Sequence, residues 1–99
     1  MHSANAYSIR PATTADAYLL RKLAELDSQS PVSRPALIGE IEGRPAAALS
    51  LTDGRVVADP FQHTAQLKGL LTMRFRAMRA FERSTSAHER KPVFARLAA

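Results

Sequence analysis

Two tight turns divide the middle of the chain into three short apolar runs. The runs are residues 36–41, 46–51 and 56–58, and the turns between them are 42–45 and 52–55. Each turn contains a glycine, which adopts the positive φ angles of a tight reversal without steric cost. Runs joined by such short connections pair with their neighbours in sequence. The pattern therefore predicts a three-stranded antiparallel meander.

A further strand and an amphipathic helix precede this meander. Residues 7–10 alternate apolar and polar side chains and end at Pro11, which is typical of a short half-buried strand. Thr13 and Asp16 have the spacing of a reciprocal helix cap. Over residues 15–27 the leucines share one helical face, and the two prolines of segment 28–35 then indicate a loop.

A long basic helix is predicted over residues 65–83, with Thr64 placed to cap it. Its apolar side chains share one arc of the helical wheel: Leu67, Leu70, Leu71, Phe75, Met78 and Phe81. A second arc is mostly basic: Lys68, Thr72, Arg76, Arg79 and Arg83. Arg74 interrupts the apolar arc, so its charge must reach solvent, a carboxylate or the edge of the core.

The size of the chain limits it to one small core. Ninety-nine residues with 45% hydrophobic side chains suit a single domain. We predict an α+β fold, a small and mostly antiparallel four-stranded sheet with two helices in the order β-α-β-β-β-α. The expected organisation is a disordered N-terminus over residues 1–5, a folded domain over 6–83 and a flexible basic tail over 84–99.

Cysteine content and charge limit the compartment and the partners. The chain has no cysteine, which excludes disulfides and thiolate chemistry and suits the cytoplasm. No window approaches the roughly 20 apolar residues of a membrane span. Residues 68–99 hold eight Lys/Arg against two Asp/Glu, whereas residues 1–67 hold six against seven. This asymmetry indicates either a solvated helix face or an anionic partner.

The titratable residues form no recognisable catalytic group. His2, His63 and His88 are far apart and lack metal-ligand spacing, so no metal site is predicted. Glu40 and Glu42 lie two apart on one predicted strand, which suits a solvent-facing side better than a paired-carboxylate site. No Gly-x-Ser-x-Gly motif is present. No catalytic residue is predicted.

Three stretches of sequence carry a family resemblance. Residues 7–17 read Tyr-Ser-Ile-Arg-Pro-Ala-Thr-Thr-Ala-Asp-Ala, a strand ending in Ile-Arg-x-Ala before a helix that starts near Asp-Ala. Residues 37–51 read as two strands and their turn, and residues 56–67 pass from strand to turn to helix. Together, and in this order, they resemble the first half of the GNAT superfamily of acetyl-CoA-dependent N-acyltransferases.

The resemblance implies a cofactor loop that has lost its glycines. In the family, a loop of pattern Gln/Arg-x-x-Gly-x-Gly/Ala holds the CoA pyrophosphate through backbone N–H groups and the next helix N-terminus. Here Gln62 matches, but Ala65 and Leu67 replace the small positions. If acetyl-CoA binds, the residues nearest to it would be Gln62, Thr64, Ala65 and Leu67. The family's fifth strand and later elements have no counterpart after Arg83, so its catalytic residues have no match on this chain.

Three functional hypotheses follow. The first is a truncated, non-catalytic module for dimerisation or protein interaction, because the strand 56–58 lacks its fifth-strand neighbour. Its expected interface consists of Val56, Val57, Arg74, Met78 and Phe81. The second is an N-acyltransferase completed by a second chain. The third is electrostatic binding of nucleic acid or anionic lipid by Lys68, Arg76, Arg79, Arg83, Arg90, Lys91 and Arg96.

Overall fold

The computed structural model describes the backbone of residues 6–98 and the side chains of residues 6–84. In chain order the main elements are β1 (Tyr7–Pro11), α1 (Ala17–Leu26), β2 (Ala36–Ile41), β3 (Arg44–Ser50), β4 (Val56–Ala58) and α2 (Ala65–Ala98). The strands form one antiparallel sheet in the order β1-β2-β3-β4. This confirms the predicted α+β class and order of elements. The disorder predicted for residues 1–5 lies outside the described residues.

The sheet separates the two helices, so the domain has three layers. Side chains alternate between the faces of the sheet. On one face α1 packs against the sheet in a cluster that includes Leu20, Leu23, Ala24, Ile38, Ala48 and Val57. On the other face the start of α2 packs in a second cluster that includes Leu37, Ala47, Leu49, Ala58, Leu67 and Leu71. The two faces of one narrow sheet thus provide the whole core.

The first helix begins with the predicted reciprocal cap. The Thr13 N–H donates to Asp16 Oδ2 at 2.7 Å, and Thr13 Oγ1 accepts from the Ala15 N–H at 3.2 Å. A short 3-10 turn, Thr14–Asp16, leads into α1. The cap satisfies N–H groups that have no partner inside the helix.

The turn between β2 and β3 is tighter than predicted. Only Glu42 and Gly43 connect the strands, with φ angles of 51° and 79°, as a two-residue hairpin turn requires. β3 therefore begins at Arg44, two residues before the predicted start. The register then shifts, because Gly39 pairs with Ala47 and Glu40 pairs with Pro45. A bulge of this kind accommodates a proline that has no N–H for the ladder.

Helix α2 begins where predicted but does not end there. Its 34 residues extend to Ala98, so the predicted end at Arg83 is wrong. Serine and threonine at positions 84–86 lower helix propensity by only a few tenths of a kcal/mol each, which is too little to end a helix. The helix also continues past Pro92, although proline costs about 3 kcal/mol in a helix interior. The flexibility predicted for the tail 84–99 stays a prediction, since the side chains of residues 85–99 lie outside the described residues. Among the described helices none is long and apolar enough to cross a membrane.

Candidate functional site

The loop between β4 and α2 is closed by the side chain of Asp59. Asp59 Oδ1 accepts from the Phe61 N–H at 2.9 Å, and Asp59 Oδ2 accepts from Gln62 Nε2 at 2.9 Å. The backbone is fixed at the same place, since the Gln62 N–H donates to the Asp59 oxygen at 3.2 Å. An aspartate that bonds the backbone two residues on forms a stable local turn. A carboxylate therefore occupies the N–H of the residue just before Gln62, the first position of the expected cofactor loop.

The four residues nearest to the expected cofactor do not converge on one cavity. Gln62 is held by Asp59, and the Thr64 side chain is buried at the start of α2. Ala65 is exposed at the first position of the helix. Leu67 is fully buried in the core, where it lies over Gly39. The leucine thus points into the sheet and not toward a space in front of the loop.

The outer edge of β4 is partly sealed by the segment that follows α1. The outward-facing Ala58 N–H donates to Asp27 Oδ2 at 3.0 Å. Beside it, the Arg55 guanidinium donates to the backbone oxygens of Ser30 and Pro31, each at 2.9 Å. Natural proteins cover exposed strand edges in this manner to prevent unwanted pairing. This edge is accordingly less available than its sequence suggests.

The residues of the predicted interface lie on different surfaces. Val57 is fully buried in the cluster beneath α1, whereas Val56 and Met78 are half-buried beneath α2. Phe81 is 71% exposed on α2, and Arg74 is exposed beside β1 at the opposite edge of the sheet. Val56 and Met78 thus pack against the same cluster, and the other three residues lie elsewhere.

The basic stripe on α2 is only partly available to a ligand. Arg79 Nη2 donates to the Thr52 oxygen at 2.6 Å, and its guanidinium lies 5.0 Å from the centroid of the Phe75 ring. This arginine anchors the helix to the turn before β4. Lys68, Arg76 and Arg83 are exposed. The side chains of Arg90, Lys91 and Arg96 lie outside the described residues.

An open groove, which the sequence did not predict, runs along the outer edge of β1. It encloses about 430 Å³ and is lined by Tyr7 and Ile9 from β1 and by Leu70, Met73, Arg74 and Ala77 from α2. Met73 is 65% exposed. One signal was present in the sequence, because Arg74 interrupts the apolar arc of α2 and its charge had to reach solvent, a carboxylate or the edge of the core.

A cluster of three charged groups fixes β1 to its neighbours. The Arg10 guanidinium donates to both carboxylate oxygens of Asp16, at 2.9 and 3.0 Å, and to Glu40 Oε2 at 3.2 Å. These hydrogen bonds, with that from the Thr13 N–H, hold the pKa of Asp16 well below its ordinary value. They also raise the pKa of Arg10. The groups are fully paired, so we assign them a structural role.

Glu40 and Glu42, considered as a carboxylate pair, are separated by the fold. Glu40 is half-buried against Arg10, while Glu42 is exposed in the turn. Of the three histidines only His63 is among the residues whose side chains are described, and it is exposed in the loop before α2. Within the described part of the chain, no group of His, Asp or Glu is arranged to hold a metal ion.

No protein-family model matches the chain, and comparisons with curated proteins and with solved structures also give no match.

Proposed function

We propose that this chain is a non-catalytic, GNAT-like half domain that acts by binding another protein. The closed loop before α2 is the observation that carries the proposal. Its geometry is set by Asp59, whose carboxylate lies beside the loop and is bonded to the Phe61 N–H and to the Gln62 side chain. A carboxylate in that position repels an anion and leaves it no N–H donor at Phe61. The exposed apolar side chains of α2 supply the binding surface.

The exposed surface supports an interaction role. Among the side chains of residues 6–84, four large apolar ones are more than half exposed: Tyr18, Phe61, Met73 and Phe81. Of these, Met73 and Phe81 lie on α2. Single exposed apolar residues need no explanation, but Met73 borders a groove that also contains Leu70 and Ala77. Apolar surface of this kind at a concave site favours protein contact.

Thermal unfolding with acetyl-CoA tests the non-catalytic assignment. A ligand that binds only the folded state raises the melting temperature, by an amount set by its concentration relative to Kd. We expect no increase with millimolar acetyl-CoA beyond that given by ATP, which controls for binding of any polyanion to the basic helix. A specific increase with acetyl-CoA would refute the assignment and favour an acyltransferase, completed by a second chain if the active species is a dimer.

An electrostatic role for α2 is a second candidate, favoured by one observation. Lys68, Arg76 and Arg83 are exposed on the helix, and acidic neighbours on it are few. If these residues bind nucleic acid or anionic lipid through phosphates, the affinity falls steeply with salt. Fluorescence anisotropy with labelled single-stranded DNA at low and physiological ionic strength tests this candidate. Absence of binding at low salt would eliminate the nucleic-acid form, and absence of pelleting with phosphatidylserine vesicles the lipid form.

A further inference from the structure

We propose that the outer edge of β1 and the adjoining groove bind an extended acidic segment of a partner protein, which adds to the sheet as a strand beside β1. The inference rests on the proposed function and specifies its surface and the chemistry of the partner. It depends on the backbone of β1, the side chains that line the groove, and the charge of α2.

The backbone of β1 has hydrogen-bonding groups directed away from the sheet. The Ala12 N–H donates to Ala36 and the Ala6 oxygen accepts from Glu42, both at 2.8 Å. Residues facing the neighbouring strand alternate with residues facing away. The N–H and C=O groups of Tyr7 and Ile9 therefore face outward, at the edge where residues 6–98 place no strand beyond β1. These four groups can pair with one added strand.

Pro11 fits an edge of this type. It stands in the same outward register as Tyr7 and Ile9, so its missing N–H removes no bond to β2. It also ends the stretch that offers donors to a partner. The added strand is consequently short and is positioned by Tyr7 and Ile9.

The groove can receive the side chains of such a strand. Alternate residues of an added strand point to the α2 face of the sheet. On that face they meet Leu70, Met73 and Ala77, which line the groove with Arg74. Met73 is 65% exposed, so an apolar side chain of the partner would cover surface that is now in contact with solvent. Main-chain pairing with pockets for alternate side chains is an established mode of peptide recognition.

The charge of the groove selects the partner. Arg74 is exposed and forms no ion pair or hydrogen bond with the residues whose side chains are described. Over residues 65–84, α2 carries five Lys/Arg and one Glu. Pairing two copies of the chain through β1 would bring two such helices together, and like charges at an interface oppose association. A carboxylate facing Arg74 has the opposite effect, which favours an acidic segment over a second copy.

The opposite edge of the sheet is the natural comparison. At β4 the outward Ala58 N–H is already bonded to Asp27. At β1, no described side chain accepts from the backbone N–H of Tyr7 or Ile9; the Tyr7 hydroxyl, a different group, donates to Gln66 Oε1. The outward N–H groups of β1 are therefore available to an added strand, whereas that of Ala58 in β4 is already bonded.

A synthetic peptide with the sequence acetyl-Thr-Val-Thr-Val-Thr-Glu-Thr-amide tests the proposal. Its two valines and its glutamate lie on one face of an extended strand. Titrated into the full-length protein and followed by ¹⁵N–¹H NMR, it should shift the Tyr7 and Ile9 amide resonances and slow their hydrogen exchange. Arg74→Glu should lower the affinity for the peptide about fivefold to tenfold, because a favourable charge pair with the peptide glutamate becomes a repulsive one.

Arg76→Glu is the matched control, since it makes the same charge change on an exposed position of α2 outside the groove. It should alter affinity by less than about twofold at 0.15 M salt, where distant surface charges are screened. A peptide with lysine in place of glutamate should reverse the ranking of Arg74→Glu and the wild type. A peptide N-methylated at its pairing residues should not bind.

The proposal is overturned if the peptide produces no shifts at millimolar concentration, if the shifts occur at Val56 and Ala58, or if Arg74→Glu and Arg76→Glu weaken binding equally. It is also overturned if the protein alone is a dimer with Tyr7 and Ile9 amides protected, since a second copy then occupies the edge. The acetyl-CoA experiment remains independent. If the peptide does not bind and acetyl-CoA does not raise the melting temperature, the β1 docking site is refuted and the non-catalytic assignment is retained.

Discussion

Replacing Gly39 with alanine would place a methyl group against the side chain of Leu67. A Cβ atom built on Gly39 lies 2.8 Å from Leu67 Cδ1 and 3.0 Å from Leu67 Cδ2 and Cγ. Carbon atoms pack at about 3.5–4.0 Å, so the leucine must move by roughly 0.7 Å or more. Leu67 is fully buried, and all three of its outer carbons are too close. A change of rotamer alone therefore does not relieve the overlap.

The magnitude follows from two opposing effects. Overpacking of a close-packed core costs about 1–3 kcal/mol. Glycine also makes the unfolded chain more flexible than alanine does, so the substitution returns about 0.4–1 kcal/mol. We expect Gly39→Ala to lower the free energy of unfolding by about 1–2 kcal/mol, and to lower the melting temperature by about 4–8 °C for each kcal/mol in a domain of this size.

A double-mutant cycle isolates the contact. Leu67→Ala alone should cost about 2–5 kcal/mol, because it leaves a cavity beneath α2. In that background the methyl group of an alanine at position 39 has room, so adding Gly39→Ala should be neutral or slightly stabilising. Urea unfolding of the four proteins measures the coupling. If Gly39→Ala costs the same in both backgrounds, within about 0.5 kcal/mol, the reasoning is refuted.

Gly69→Ala provides the matched control for this cycle. Gly69 is exposed on α2, and a Cβ added there meets nothing within 4 Å. The same chemical change should therefore stabilise the protein by up to about 1 kcal/mol, through helix propensity alone. If the free energy of unfolding falls with Gly39→Ala and rises with Gly69→Ala, the cost at Gly39 comes from packing.

Three further outcomes are expected. Arg10 lowers the pKa of Asp16, so the Asp16 carboxylate stabilises the fold above pH about 4, and this contribution is lost as the pH falls below that value. In urea unfolding, Asp16→Asn should be less stable than the wild type at pH 6. It should also lose less stability than the wild type on acidification to pH 3. Asp59→Ala should lower stability by about 1–2 kcal/mol by removing the acceptor that closes its loop, measured by thermal unfolding. Asp27→Ala should accelerate hydrogen exchange of the Ala58 amide; unchanged exchange would mean that Asp27 does not seal this edge.

The features that the sequence predicted are those set by near neighbours along the chain. The reciprocal cap of Thr13 and Asp16 is local, as are the glycine turns that define the meander. Leu67 and Leu71 were predicted to lie on the apolar arc of α2, and both are fully buried. Each of these depends on spacing within a few residues, which the sequence displays directly.

The position of Arg74 could not be derived in the same way. The helical wheel places it within the apolar arc, but the buried part of α2 is centred on Leu71 and extends to the half-buried Phe75. The helix rests on β2 and β3, so the side of the arc that faces β1 overhangs the sheet. This follows from how the helix packs across the sheet, with Leu67 close to Gly39, and the helical wheel does not contain that information.

The state of the two sheet edges was also hidden from sequence, although Asp27 offered a clue. It stands at the C-terminal end of α1, where a negative charge faces the negative end of the helix dipole at a cost of about 0.3–1 kcal/mol. A residue that breaks a local rule usually has a compensating contact elsewhere. Here Asp27 Oδ2 accepts from Ala58 and from Gln29, at 3.0 and 2.7 Å. The chain thus tolerates a local penalty in order to seal β4.

Among the described residues, no side chain covers the outer edge of β1 as Asp27 covers that of β4. Its outward N–H groups at Tyr7 and Ile9 have no acceptor among the described side chains, and the nearest charged group in the groove, Arg74, is a donor that cannot satisfy them. A partner strand supplies both missing elements at once, carbonyl oxygens for the two amides and a carboxylate for the guanidinium. An added strand at β4 would first have to break the hydrogen bond between Asp27 and Ala58. Strand addition at β1 has no such cost, so an acidic strand binds more favourably there.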